Sequence, residues 1–167
     1  THTDITDRKQ AENQLRQNQE QLDLAMRGAE AGSWSWNIKT GEDLLDERWC
    51  GILGYKRDEV PQEVSSWENL IHPDEKDEIF RVVNKHFEDE NNEYNHAYRM
   101  KCKNGDWKWI LAIGKLVERD ENGEPARMTG IIIDINERKL AEEEILKLND
   151  ELEERVEQRT SELLTAN

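Results

Sequence analysis

Two Asn-Gly dipeptides, Asn104-Gly105 and Asn122-Gly123, each stand between apolar runs. Asn-Gly between apolar runs is the strongest short-range hairpin signal, so each is predicted to close a β-hairpin. Three strands follow from two such turns: "YNHAYRMKC", "WKWILAIGKLV" and "ARMTGIIIDI". In the middle run Trp107, Trp109, Leu111 and Ile113 point one way and Ile110, Ala112 and Leu116 the other; in the last, Ile131 and Ile133 oppose Ile132. The sheet is therefore apolar on both faces. Internal helices can cover one face, and the other needs a flanking helix or a partner subunit.

Upstream, "GSWSWNIKTGEDLLDERW" alternates Trp34, Trp36 and Ile38 against polar residues, with Thr40-Gly41 as the turn into a second, shorter strand. From Glu47 to Phe87 the pattern is helical and broken into short pieces. "HPDEKDEIFRVVNKHF" places Pro73 at a helix start and Asp74 and Glu75 in its first turn, where the helix dipole favours acids. The order strand pair, helices, three-strand meander predicts an α+β fold around one five-stranded antiparallel sheet, with short helices on one face.

Long polar helices are expected on both sides. In the first thirty residues Ala11, Leu15, Leu22, Ala25 and Ala29 form a narrow apolar stripe, and Gly28 and Gly32 mark its end. From Asn136 onward there is no Gly or Pro, so a helix of roughly 45 Å is predicted. Ile145, Leu148 and Leu152, then Val156, Arg159 and Leu163, repeat one spacing, a seam suited to a partner helix. Solvated helices account for a composition of 35% hydrophobic and 37% charged residues. A net charge of −15 argues against nucleic acid and against anionic membrane surfaces. No apolar run approaches the ~18 residues of a membrane span, and no signal peptide is visible, so a cytoplasmic piece is expected. Cys50 and Cys102 fit no metal or redox spacing and are expected to be reduced thiols.

"DITDRKQAENQL" at Asp4–Leu15 returns as "DINERKLAEEEI" at Asp134–Ile145, with Asp, Ile, Arg, Lys, Ala and Glu in register. This repeated phrase resembles the closing motif of PAS domains, where the last strand meets the outgoing signalling helix. "HPDE" and "KNGDWKW" are similar to that family's helix start and hairpin, and the resemblance covers about residues 31 to 139. Asn104 and Asn136 depart from the family's usual Asp and Thr, and both keep turn or cap chemistry. The resemblance implies three parts: 1–30, the end of a preceding PAS domain and an incoming helix; 31–135, a complete PAS domain; 136–167, an outgoing coiled-coil linker. "LNDELEERVEQRTSELL" resembles the linker ahead of the phosphoacceptor helix in many sensor histidine kinases. It implies a kinase output in the same chain, while the first copy of the repeated phrase implies an upstream PAS domain. Similar coiled coils also precede cyclic-dinucleotide cyclase and phosphodiesterase domains.

Catalysis by this piece itself is not expected. The four histidines, His2, His72, His86 and His96, lie in no phosphoacceptor context, and there is no Gly-rich phosphate loop. His72 with Asp74 and Glu75 could be drawn as a metal site, but a helix start explains the same residues. His86 falls near the end of its helix, away from where haem-binding PAS domains carry their ligand, and Cys50 in "RWCGIL" does not match a flavin-reactive motif. No cofactor is predicted, and the ligand is unknown. His96 and Tyr98, which alternate with Tyr94 and Met100 on one strand face, are candidate ligand contacts. The paired tryptophans Trp34/Trp36 and Trp107/Trp109 read as packing in preference to an aromatic cage.

The helices carry the expected function. Asp134, Ile135, Asn136 and Arg138 form the predicted junction that couples the sheet to the outgoing helix. Leu15 and Leu22 on the incoming helix, and Ile145, Leu148, Leu152, Val156 and Leu163 on the outgoing one, are the predicted seam of a parallel homodimer. The incoming helix could instead dock on its own sheet. A module of this kind relays a signal to its output domain; a ligand-free dimerisation and relay domain is the rival reading.

Overall fold

A computed structural model of the chain describes residues 2–166. Thr1, Asn167 and the side chain of His2 lie outside the described residues. Two units are distinguished, residues 1–134 and 135–167.

The first unit opens with helix α1, His2–Gly28, and continues into a sheet of β1 (Ala31–Asn37), β2 (Asp43–Leu45), β3 (Tyr94–Lys101), β4 (Trp107–Arg119) and β5 (Pro125–Asp134). Between β2 and β3 run the short helices α2 (Glu47–Ile52) and α3 (Val64–Leu70) and the longer α4 (Lys76–Glu88). The strand order is β2-β1-β5-β4-β3, every pair antiparallel, as the α+β prediction requires. Both predicted hairpins form; in each connection the glycine takes positive φ, Gly105 at 92° and Gly123 at 80°, and the asparagine does not. First and last strands are neighbours, so Ala31 at the start of β1 pairs with Ile133 at the end of β5. The chain therefore enters and leaves the sheet at one edge of the same strand pair.

The two faces differ as the alternation predicts. Ile110, Ala112, Leu116, Met128 and Ile132 are buried under the helices with Trp49, Cys50, Leu53, Ile79 and Val83. Leu111, Ile113, Ile131 and Ile133, on the opposite face, are only half-buried. Helix α1 leaves its predicted stripe uncovered, with Leu15 at 59% and Leu22 at 62% exposure. Docking of that stripe on the sheet is therefore not what the first unit does. Among its described side chains only Asp23 and Met26, near the helix end, are half-buried.

Two close approaches fix how tightly the inner face packs. Gly114 of β4 and Gly130 of β5 are paired, and the ring of Trp34 lies over both. A Cβ added at Gly130 would stand 2.0 Å from the Ile113 carbonyl oxygen and 2.6 Å from the Trp34 ring. At Gly32, a Cβ would meet the Trp49 backbone at 2.4 Å, which is how closely α2 lies on β1.

The second unit is helix α5, Asn136–Ala166. Its 31 residues make a rod of about 46 Å. None of them is buried.

Candidate functional site

Four Trp and two Tyr converge where the inner sheet face meets α3 and α4. Asp46 sets the first of them: its Oδ1 accepts from the Trp49 N–H at 2.8 Å as the α2 cap and from the Ser33 N–H at 3.0 Å. One carboxylate thus ties β1 to α2 and seats Trp49 in the core. Trp34 meets Tyr94 edge-on at 6.3 Å, and Trp36 lies 6.1 Å from Phe87 of α4. From α3, Trp67 donates its indole N–H to the Tyr98 hydroxyl at 2.8 Å, and Tyr94 lines the same space. Burial pushes both phenols above their ordinary range.

These rings enclose a cavity of about 30 Å³, completed by Val64, Val83, Ala112, Met128, Ile132 and Asp43. That is room for a water molecule or a group of about two heavy atoms. Asp43 is the one carboxyl in the lining. It is 4% exposed, its Oδ1 has no hydrogen-bond partner, and burial raises its pKa to about 7. Trp36, its cross-strand partner, also lines the cavity and has an unpartnered indole N–H. Buried polar atoms without partners are uncommon in folded proteins, and here two meet at one cavity.

Of the predicted ligand contacts, Tyr98 lines this cavity and His96 does not. The His96 ring stacks on Tyr98 at 5.9 Å, half-buried on the same strand. His86 is buried, and both ring nitrogens are engaged: Nδ1 donates to the Asn92 carbonyl and Nε2 accepts from the Leu116 N–H at 2.9 Å. That fixes the neutral tautomer and staples α4 to β4. His72 accepts from the Asp74 N–H at 3.1 Å and lies 4.5 Å from the Trp107 ring, and Glu75 accepts from the Arg99 N–H at 2.6 Å. These three residues shape a helix start. Burial raises the Cys50 and Cys102 thiols above their ordinary pKa.

Sequence reasoning missed Asp43. Its neighbours "GEDLLD" read as a turn and a short strand, and no pattern marks which acid faces inward. The strand alternation did carry the signal, because Asp43 shares the inward parity of Leu45.

The junction is built from ion pairs around α2. Arg48 of α2 grips Asp23 of α1 at 3.1 Å, and Arg27 holds the other oxygen of Asp23 at 2.9 Å. The Ile52 carbonyl, at the end of α2, accepts from Lys108 Nζ at 2.7 Å, and the same ammonium pairs with Asp134 at 3.1 Å. The ends of α1 and β5 are thus both fastened to one short helix. Between α1 and β1, Glu30 adopts φ 53°, a left-handed conformation unusual for a residue with a side chain. After Asp134, Ile135 accepts the first helical bond, from the Lys139 N–H at 2.9 Å, so Asn136 is the first residue inside α5. Arg138 pairs with Glu142 one turn on, at 3.6 Å. The predicted seam residues Ile145, Leu148, Leu152, Val156 and Leu163 are 53–68% exposed.

A five-stranded antiparallel sheet carries helices over one face, with an aromatic cavity beneath them. The chain belongs to the PAS fold family, which residues 43–132 match. It is similar to a sensory box histidine kinase/response regulator of Burkholderia thailandensis, at 34% identity and TM-score 0.71, over 80% of this chain and 98% of that one. The N-terminal PAS/PAC domain of a diguanylate cyclase from Marinobacter aquaeolei shares the fold at 23% identity and TM-score 0.56, over 65% of this chain and 98% of that one. Among curated proteins, the methyl sulfide methyltransferase-associated sensor of Methanosarcina acetivorans is 32% identical over 120 residues, 71% of this chain. The chain spans only 12% of that sensor's length. Relatives of this kind are PAS domains of multi-domain signalling proteins. No described helix is long and apolar enough to cross a membrane.

Proposed function

We propose that this chain is a cytoplasmic sensory and dimerisation module that relays its state through α5 to an output domain, most simply a histidine kinase. One observation carries the proposal: α5 runs 31 residues with no buried side chain, yet carries an apolar seam. A polar rod with such a seam gains stability by pairing with a second copy in parallel. The ion pairs of Arg48 and Lys108 support a relay, because a change in the inner face displaces α2 and, through it, the ends of α1 and β5. The signal enters at the aromatic cavity. On this reading neither haem nor flavin is required, and the engagement of both His86 ring nitrogens supports it. A cyclase or phosphodiesterase output is the second reading, favoured by the fold shared with the diguanylate cyclase domain.

The test is a phase experiment in the full-length parent. Inserting seven residues after Lys147 restores the seam's register and preserves signal-dependent output, whereas three or four residues lock or invert it. Output indifferent to insertion length would refute the relay. Sedimentation equilibrium of the chain alone should give a dimer.

A further inference from the structure

The cavity has a chemistry that selects its guest. Aromatic rings surround it, and their electron-rich faces attract positive charge. The lining contains no lysine, arginine or histidine, so nothing there neutralises an anion, and Asp43 repels one. A neutral apolar guest would leave the Asp43 and Trp36 polar atoms without partners, as they are now. A guest that brings N–H donors and a positive charge satisfies the carboxylate.

We propose that this cavity binds a small organic ammonium ion, its charged head on Asp43 and its alkyl group against Trp34, Trp36, Trp67 and Tyr98. This rests on the reading of the cavity as the point where the signal enters. A volume of about 30 Å³ limits the guest to the size of methylammonium, unless α3, which contributes Val64 and Trp67, moves outward. The other titratable groups in the lining are Tyr94 and Tyr98, both neutral across the physiological range, so Asp43 alone sets the pH dependence. Ionisation of Asp43 as pH rises through about 7 strengthens binding.

The test uses the whole chain with methylammonium chloride, dimethylammonium chloride, acetamide and sodium acetate as probes, at ionic strength matched with sodium chloride. Thermal shift and the indole N–H resonance of Trp36 are read at pH 6 and pH 8. The expected result is a rise in Tm with the ammonium salts alone, at least several-fold tighter binding at pH 8, and a shift of the Trp36 resonance. Asp43→Asn should weaken that binding at least tenfold while the protein stays folded. If acetamide or acetate binds as tightly, or Asp43→Asn binds the ammonium ions unchanged, the ligand class is wrong and the cavity remains a sensing site. If none of the probes binds at millimolar concentration, the ammonium proposal falls; a thermal-shift screen of uncharged compounds that is also blank then removes the sensing reading as well.

Discussion

Helices α4 and α5 both carry apolar residues at helical spacing, and the chain treats them in opposite ways. In α4, Ile79 and Val83 are buried, and His86 on the same side is bonded through both ring nitrogens. In α5, Ile145, Leu148, Leu152, Val156 and Leu163 are all more than half exposed. The difference lies in what each stripe can reach. A 13-residue helix spans about 20 Å, the width of a small sheet, while 31 residues overrun any such surface. A short stripe is completed by its own fold; the long one stays exposed along its length.

The largest effect that would sharpen this contrast is expected at Gly130→Ala. One methyl group there meets a carbonyl at 2.0 Å and the Trp34 ring, so the first unit should lose about 3 kcal/mol or more, read by urea unfolding. Ile79→Ala on α4 should cost about 2–4 kcal/mol for the cavity it leaves. The matching truncation on α5, Leu152→Ala, should change domain unfolding by less than about 0.5 kcal/mol and instead lower the dimer affinity seen by sedimentation. Equal losses of domain stability from the two truncations would erase the distinction between a docked and an unpartnered stripe.

Between these lies Asp43→Asn, whose effect depends on pH. The native state holds the Asp43 proton up to about pH 7, whereas the unfolded chain releases it near 3.8. Over that window the folded protein binds more protons, so the contribution is fully present below about pH 3.8 and is lost as pH rises through about 7. Relative to Asp43→Asn the native protein should therefore weaken from pH 4 to pH 8, by up to about 4 kcal/mol. A constant stability difference across that range would mean that the carboxyl is solvated and the inner face is not closed.

The smallest effect is expected at Glu30, where φ 53° strains a side-chain-bearing residue between α1 and β1. Glu30→Gly should stabilise folding by up to about 1 kcal/mol, or leave it unchanged where the added chain entropy offsets the relief.

Much of this was legible in the sequence. Asn-Gly turns and period-two alternation are local codes, readable because turn geometry and the pleat act over two to four residues. They yielded all five strands, the inner and outer parity of β4 and β5, and the two long helices. The repeated phrase marks Asp134 and Asn136, which stand where β5 ends and α5 begins. Alternation puts His96 and Tyr98 on one strand face, yet only Tyr98 lines the cavity, because alternation assigns a face but not the reach of a side chain across it.

What the residues alone determined is the set of elements, their faces and the apolar seam along α5. Only the tertiary structure decided that Asp43 and Trp36 meet at one cavity, that Trp34 lies over Gly114 and Gly130, and that α2 holds the ends of α1 and β5 through Arg48 and Lys108. These contacts join positions up to about a hundred residues apart. Their energy depends on which strands become neighbours, and β1 beside β5 is a property of the closed sheet that no local stretch of chain specifies.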